Sequence, residues 1–172
     1  MEHGFLCGME NFDAVWKRVR GENPPQTVKE DDSTVLLLER RMDEKFEMAF
    51  FYAELAKNCT PTEHGLLMQL CGAEKRHFRC LQLEYFLLTG QCHTPAESCA
   101  CKACLLHGAR LAREKEQTAA RQFQKDAQST QGTLRETLLC IASEDENHAQ
   151  LLYGLLEKRI VGRQIKRLFS NV

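Results

Sequence analysis

The sequence lacks the features that mark membrane-spanning, secreted and nucleic-acid-binding proteins. It has no run of about 18 apolar residues, the length that a transmembrane helix needs. Its first residues, Met1 to Gly8, lack the basic and apolar blocks of a signal peptide. The formal net charge is -1, and Lys and Arg are spread among acidic residues, as on solvated helix faces. We therefore expect a soluble cytoplasmic protein that binds neither nucleic acid nor a membrane.

The missing export signal bears on the nine cysteines. Without an oxidising compartment, a disulfide framework is not expected. Four cysteines lie within or beside apolar-periodic stretches and are interpreted as small buried hydrophobic residues: Cys59, Cys71, Cys80 and Cys140. Four others crowd one loop and form a candidate zinc or iron–sulfur site, with a redox-active dithiol or free surface thiols as alternatives: Cys92, Cys99, Cys101 and Cys104.

At 172 residues the chain has the length of one domain with a substantial core. Apolar residues recur at helical spacing rather than in alternation, which argues against a sheet. We predict a lead-in with a short helix over 1–33, four long helices over 34–160, and a tail with another short helix over 161–172. Two short turns and one longer crossover, at 91–104, connect the long helices. This pattern predicts an all-α fold, a four-helix bundle.

Capping signals set the predicted helix boundaries. Thr60 and Glu63 fit a capping box with proline in the first turn, and Thr133 and Glu136 fit a second one. Gly90 is a typical helix terminator. The predicted long helices cover about 34–57, 60–88, 104–127 and 133–160.

Two matched motifs interrupt the apolar pattern. Glu74 and His77 are three residues apart in helix two, as are Asp145 and His148 in helix four, so each pair shares one helix face. Both pairs lie in otherwise apolar stripes, where an unpaired carboxylate would be costly or would take up a proton. The shift along the chain that carries Glu74 onto Asp145 superimposes the two stripes without a gap, which indicates an internal repeat. The stripes are Leu67, Leu70, Glu74, His77, Leu81 and Leu138, Ile141, Asp145, His148, Leu152.

A metal between the helices would offset the cost of burying these groups. A dinuclear site needs one more carboxylate from each remaining helix. Glu44 and Glu116 lie in apolar stripes at matching heights along antiparallel neighbours. Four carboxylates and two imidazoles suit two iron ions, with manganese or zinc as alternatives. The predicted ligands are Glu44, Glu74, His77, Glu116, Asp145 and His148.

The ligand assignment leaves alternatives open. The same ungapped shift pairs Glu116 with Lys45, not with Glu44, so the helix-one carboxylate falls outside the repeat. Further carboxylates lie within about one helical turn of the predicted ligands and compete with them: Asp43, Glu47, Glu114 and Glu144.

The pattern E…ExxH…E…(E/D)xxH, with Phe51-Tyr52-Ala53-Glu54-Leu55-Ala56 as an FYxxLA signature, resembles the ferritin-like superfamily and is most similar to its rubrerythrin branch. The resemblance covers about 34–160 and implies a ferritin-like bundle with a carboxylate-bridged di-iron centre. Tyr52 is a candidate neighbour of the ligands, because Phe51 takes the place of the family's usual tyrosine. By similarity, Glu44 and Glu116 are terminal ligands, Glu74 and Asp145 bridge the ions, and His77 and His148 each complete one iron.

The resemblance implies an oxidoreductase that reacts with hydrogen peroxide or dioxygen in defence against oxidative stress. The expected partners are the small oxidant, a separate electron-donor protein such as a rubredoxin, and a second copy of the chain in a homodimer. One alternative is an iron-binding, ferroxidase or iron-storage protein without peroxidase turnover. Another is a helical interaction module whose polar residues pair among themselves.

Overall fold

A computed structural model of the chain describes residues 32–95 and 103–169. These residues form four α-helices and no strand, so the all-α prediction is confirmed for this part of the chain. The predicted helix within 1–33 lies outside the described residues. The helices are α1 (Asp32–Leu55), α2 (Pro61–Thr89), α3 (Leu105–Gln128) and α4 (Gly132–Phe169), with a short 3-10 helix (Ala56–Asn58) after α1.

Helix α1 packs along α2, and α3 packs along α4. Two hydrophobic clusters join these pairs, and each cluster combines the beginning of two helices with the end of the other two. Neighbouring helices are therefore antiparallel, an arrangement compatible with a four-helix bundle. Core residues of one cluster include Leu38, Leu81, Phe123 and Leu138. Core residues of the other include Leu55, Leu67, Ala112 and Leu152.

A layer of buried polar residues separates the two clusters. In α1, Lys45 lies between Met42 of one cluster and Met48 of the other. Glu116 divides α3 in the same way, and the two carboxylate–histidine motifs divide α2 and α4. The hydrophobic pattern of each helix therefore places its polar residues at the same height in the fold.

The ends of α2 follow the signals in the sequence. The Glu63 amide donates to the Thr60 hydroxyl (3.4 Å), and the Glu63 carboxylate accepts from the Thr60 amide (2.9 Å), so the predicted capping box is confirmed. Gly90 ends the helix with φ of 72°, a left-handed conformation that glycine adopts without a steric penalty.

Helix α4 departs from the prediction at both ends. It begins at Gly132, and the Thr133 hydroxyl donates to Glu84 (3.3 Å), so the second predicted capping box is wrong. The predicted end near 160, and with it a separate tail helix, is also wrong. The helix continues to Phe169 because no proline interrupts the sequence there.

Among residues 32–95 and 103–169, none of the helices combines the length and the apolar character that crossing a membrane requires.

Candidate metal centre

The polar layer brings together side chains from all four helices. Five predicted ligands lie in it: Glu74, His77, Glu116, Asp145 and His148. The sixth member is Lys45, which the sequence reasoning did not assign as a ligand. All six residues are at most 6% exposed, so charges in this layer are poorly screened by water.

Glu44 does not join the layer. Its side chain is 39% exposed and pairs with Arg41, at 2.7 Å between the carboxylate and the guanidinium. A step of one residue turns the side chain by about 100° around a helix, so Glu44 and Lys45 cannot face the same interior point. The side chain that α1 directs into the layer is the ammonium of Lys45.

The Lys45 ammonium lies among carboxylates. Its Nζ donates to both oxygens of Asp145, at 2.6 Å each, and lies 3.1 Å from Glu74 Oε2. Burial acts to lower the pKa of Lys45, but the adjacent Glu74 and Asp145 carboxylates outweigh it and raise that pKa above its ordinary value. The side chain is therefore a fixed positive charge inside the fold.

Four groups beside this ion pair could hold a metal. One ligand atom from each of Glu74, Glu116, Asp145 and His148 lies within 4.8 Å of the others. His148 Nδ1 is 3.1 Å from Glu74 Oε1, 3.6 Å from Glu116 Oε2 and 3.9 Å from Asp145 Oδ1. Ligand atoms about 2.1 Å from a shared ion are roughly 3.0 to 4.2 Å apart, so these spacings match a coordination shell.

Several atoms of this group, and one of His77 beside it, make no hydrogen bond of normal geometry within the described part of the chain. They include Oε1 of Glu74, Oε2 of Glu116 and Nδ1 of both His77 and His148. Leaving a buried donor or acceptor unsatisfied costs about 1–3 kcal/mol. Such atoms gathered at one point are what a metal site requires before its ion is bound.

Protons can balance the charges of the metal-free cluster. Although burial acts in the opposite direction, Lys45 and the imidazoles hold the pKa of Glu74 at about 2. Burial raises the pKa of Asp145 to about 8, with a contribution from nearby carboxylates and against the effect of Lys45. Burial would lower the pKa of His148, but Glu116 and Glu74 raise it to about 9. The metal-free layer therefore carries protons at neutral pH.

His77 is oriented by Glu144, the residue that the sequence offered as an alternative to Asp145. The His77 Nε2–H donates to the Glu144 carboxylate (2.9 Å), which is partly exposed. Burial lowers the pKa of His77, so its ring is neutral near pH 7. The other ring nitrogen, Nδ1, lies 3.4 Å from Asp145 Oδ1. Glu144 thus fixes a histidine that faces the cluster, a role that carboxylates fill behind metal-bound imidazoles.

Two aromatic residues face the two sides of the cluster. The Tyr52 hydroxyl donates to Glu116 Oε1 (2.5 Å), and burial together with this carboxylate raises the pKa of the phenol well above its ordinary value. Phe123 has no polar group and presents its ring to Lys45, with Nζ 5.1 Å from the ring centroid. Each aromatic residue therefore suits the charge beside it, a hydroxyl donor for the anion and a π face for the cation.

The other alternative carboxylates lie outside the layer. Glu47 pairs with Lys115 (2.8 Å), and Glu47, Glu44 and Glu114 line a cleft of about 400 Å³ between α1 and α3. Asp43 binds His93 (2.8 Å) in the segment after α2. None of these side chains contributes to the buried group of possible ligand atoms among the described residues.

The structure describes half of the cysteine-rich loop. Cys92 and Cys104 are exposed. Cys99 and Cys101 lie outside the described residues, so the zinc, iron–sulfur or dithiol site stays a prediction.

A small cleft reaches the cluster from the surface between α2 and α4. Its volume is about 210 Å³, and its lining includes His148, Leu70, Arg76 and Glu144. The Arg76 side chain is 62% exposed at this position. A small molecule or a hydrated ion could therefore approach the histidine side of the cluster.

Sequence reasoning missed two buried cations. Lys45 could have been found from the ungapped repeat, which places it opposite Glu116. Arg41, which is 2% exposed, donates to Asp126 (2.8 Å) and to Gln122 (2.7 Å) in α3, and no local signal in the sequence distinguishes it from a surface arginine.

Comparison with known proteins identifies no relative: no family model, no curated protein and no solved structure matches the chain.

Proposed function

We propose that this chain is a ferritin-like metal-binding protein whose buried cluster takes up a divalent transition-metal ion, iron or manganese in the first instance. The observation that carries the proposal is the convergence of unsatisfied ligand atoms from Glu74, Glu116 and His148 at distances suited to a shared ion. Carboxylate oxygens and imidazole nitrogens favour such metals over a thiolate-preferring ion.

The ferritin-like part of the proposal is supported by the placement of the ligands in the fold. Each carboxylate–histidine motif occupies one helix at three-residue spacing, and Glu116 faces them from a third helix. Di-metal carboxylate proteins of the four-helix class use such motifs on two helices and a glutamate from each of the other two, and this chain has the one from α3. This placement, together with the motif spacing, is the basis for the assignment.

Metal content tests the proposal. Chelator-treated protein is incubated anaerobically with Fe(II) or Mn(II), freed of unbound ions by gel filtration, and analysed for metal per chain. We expect stable retention by the wild type and loss of retention in Glu116→Ala/His148→Ala. Glu44→Gln/Glu47→Gln is the matched control, because it removes two carboxylates outside the buried layer. Retention below one ion per several chains would leave a helical module with an internal polar network.

A second candidate function is reduction of hydrogen peroxide or dioxygen at this centre. Two observations favour it: the Tyr52 phenol bonded to Glu116, and the surface cleft of about 210 Å³ lined by His148, whose volume suits a small oxidant. Bound iron would supply the one-electron redox chemistry. Tyr52 would hold a proton at Glu116 Oε1, and the surrounding apolar clusters would keep bulk water out.

The reaction requires an external electron donor. Two electrons and two protons convert one hydrogen peroxide to two waters, and a separate reductant protein, such as a rubredoxin, would supply the electrons. Iron-loaded protein with a reductant should consume peroxide over many turnovers, and Glu116→Ala/His148→Ala should not. Iron retention without peroxide consumption would exclude the peroxidase function, and uptake of many irons per chain would indicate storage instead.

A further inference from the structure

The shift along the chain that carries Glu74 onto Asp145 relates the two halves of the polar layer; we call it the offset. It pairs Glu74 with Asp145 and His77 with His148, so α2 and α4 contribute equivalent motifs. The same offset pairs Lys45 of α1 with Glu116 of α3. We call Lys45, Glu74 and His77 the lysine half, and Glu116, Asp145 and His148 the glutamate half.

A symmetric two-ion centre needs a carboxylate at the first position of both halves. The lysine half has an ammonium there, 2.6 Å from both Asp145 oxygens and 3.1 Å from Glu74 Oε2. Two ions would both need these carboxylates, because α2 and α4 each contribute one carboxylate to the layer. Two iron ions therefore do not fit the residues present, because the ammonium takes up the oxygens of one position and repels a second cation.

No other carboxylate of α1 can replace the missing ligand. Glu44 is turned away from the layer and is held by Arg41, which is itself anchored to Asp126 of α3. Glu47 is exposed and pairs with Lys115. Both of these glutamates are thus held outside the layer by ion pairs.

The glutamate half, together with Glu74, has the ligand atoms that one ion needs. Glu116 Oε2 and His148 Nδ1 are 3.6 Å apart, Glu74 Oε1 is 3.1 Å from the same nitrogen, and none of the three atoms has a hydrogen-bond partner among the described residues. The spacing suits one ion about 2.1 Å from each atom. Both oxygens of Asp145 accept from Lys45, and Oδ1 also lies 3.9 Å from His148 Nδ1.

The neighbouring aromatic positions of the two halves differ, as the charges do. The offset that pairs Lys45 with Glu116 also pairs Tyr52 with Phe123. Tyr52 donates its hydroxyl to Glu116, whereas Phe123 presents its ring to Lys45. The carboxylate of Glu116 thus has a hydrogen-bond donor beside it, and the ammonium of Lys45 has a π face beside it.

We propose that this centre holds one divalent metal ion, bound in the glutamate half, and that the Lys45 ammonium permanently takes the place of a second ion. The inference rests on the proposed metal-binding function and specifies its stoichiometry. Charge agrees with it: three buried carboxylates facing one ammonium leave two negative charges, which one divalent ion neutralises. A two-ion centre would add a cation to a site that already contains one.

Anaerobic titration of metal-free wild-type protein with Mn(II) tests this without any substitution. We expect saturation at one ion per chain and the electron paramagnetic resonance spectrum of an isolated Mn(II). Saturation at two ions, with the spectrum of a coupled pair, would overturn the one-ion inference and leave metal binding standing. No binding would instead overturn the proposed function, so the two failures are distinguishable.

Restoring the symmetric ligand set tests the role of the lysine. Lys45→Glu with Phe123→Tyr recreates in the lysine half the carboxylate and hydroxyl of the glutamate half, and we expect it to bind two Mn(II) per chain with a coupled spectrum. Lys45→Met removes the ammonium without adding a ligand and should still bind one. Helix content from circular dichroism verifies folding. A folded Lys45→Glu/Phe123→Tyr protein that binds only one ion would show that the lysine does not set the count.

Discussion

The lysine half and the glutamate half occupy equivalent places in the fold and carry opposite charges at their first position. Both contribute a residue from the first helix of a pair, a carboxylate and a histidine from the second, and all of these are buried. The difference is that the first residue is an ammonium in one half and a carboxylate in the other. Helical position therefore determines which side chains enter the layer, whereas residue identity determines whether a metal can bind there.

The carboxylates of the layer are satisfied by different means. The ammonium of the lysine half supplies both of the close hydrogen bonds that Asp145 of the glutamate half accepts. In the glutamate half, Glu116 has Tyr52 on one oxygen, and its other oxygen is unsatisfied within the described residues. Both oxygens of Glu74 and Nδ1 of His77, in the lysine half, and Nδ1 of His148, in the glutamate half, are unsatisfied in the same way.

Removing the ammonium is the most direct test of the difference between the two halves. Lys45→Met leaves Asp145 and Glu74 buried without their cation, so we expect the metal-free protein to lose about 3 kcal/mol of unfolding free energy. Glu116→Gln, in the other half, keeps a hydrogen-bond acceptor for Tyr52 and removes one negative charge, so it should lose about 1 kcal/mol or less. Urea unfolding at pH 7 in the presence of a chelator measures both.

Equal losses in these two variants would contradict the difference between the halves. Lys115→Met is a suitable control, because it removes a lysine whose partner, Glu47, is exposed. An exposed pair of this kind contributes at most about 1 kcal/mol.

Metal affinity should depend more on the glutamate half than on the lysine half, the reverse of the order expected for stability. Glu116→Ala removes a ligand of the proposed ion, and we expect the dissociation constant for Mn(II) to rise by about 100-fold or more. His77→Ala alters the lysine half, where the ring lies 3.4 Å from Asp145 and only supports its position, so we expect a rise of about 10-fold. Calorimetric titration of both variants gives the ratio. A larger effect of His77→Ala would place the ion in the lysine half.

The aromatic pair permits a finer comparison. Tyr52→Phe leaves Glu116 Oε1 without its donor, and we expect a loss of about 1–2 kcal/mol in the metal-free protein. Phe123→Leu removes the ring beside Lys45 and should cost about 1 kcal/mol beyond the loss of apolar area. Only the tyrosine variant should also weaken Mn(II) binding, by about 10-fold. Weaker binding in Phe123→Leu of the same size would contradict this assignment.

The helices and most of the layer could be predicted from the sequence, because periodicity and capping act locally. The stripe positions around Glu74 and Asp145 are apolar at 3.6-residue spacing, which fixes the face that each motif presents. Thr60 and Gly90 cap the two ends of α2 by local interactions. These signals do not depend on which helix lies opposite.

The first-helix ligand could not be predicted on the same basis, because it depends on rotation of α1 relative to the other helices. Glu44 and Lys45 are adjacent, and Glu44 was predicted as the ligand because it lies in an apolar stripe. The ungapped repeat pointed to Lys45, but a buried lysine is costly unless carboxylates from other helices surround it. Glu84 was missed for a related reason: it is 3% exposed at a contact with α4, where Thr137 donates to its carboxylate (3.0 Å).

The smallest expected effect concerns an ion pair that joins α2 and α4 far from the polar layer. Arg159 donates to both oxygens of Glu63, at 2.5 and 2.7 Å, in a partly exposed position. The hydrogen bond from Arg159 lowers the pKa of Glu63 from 4.5 to about 2. Partial burial acts against this decrease, and the hydrogen bonds from Thr60 add to it. Unlike the carboxylates of the layer, this group remains accessible to water, so its contribution to stability should be about 1 kcal/mol.

Because the folded-state pKa of Glu63 lies below that of the unfolded chain, its stabilising effect is complete above about pH 4.5 and declines as the pH falls toward 2. Glu63→Gln should therefore lower the unfolding free energy at pH 6 by about 1 kcal/mol and make no difference near pH 2. Urea unfolding of both proteins at several pH values measures this difference. A difference that persists at pH 2 would mean that the capping role of Glu63 at Thr60, which the amide of glutamine retains only in part, outweighs its ion pair with Arg159. Because this pair touches neither half of the layer, Glu63→Gln should also leave the number of Mn(II) ions bound per chain unchanged, which makes it a control for general loosening of the contact between α2 and α4.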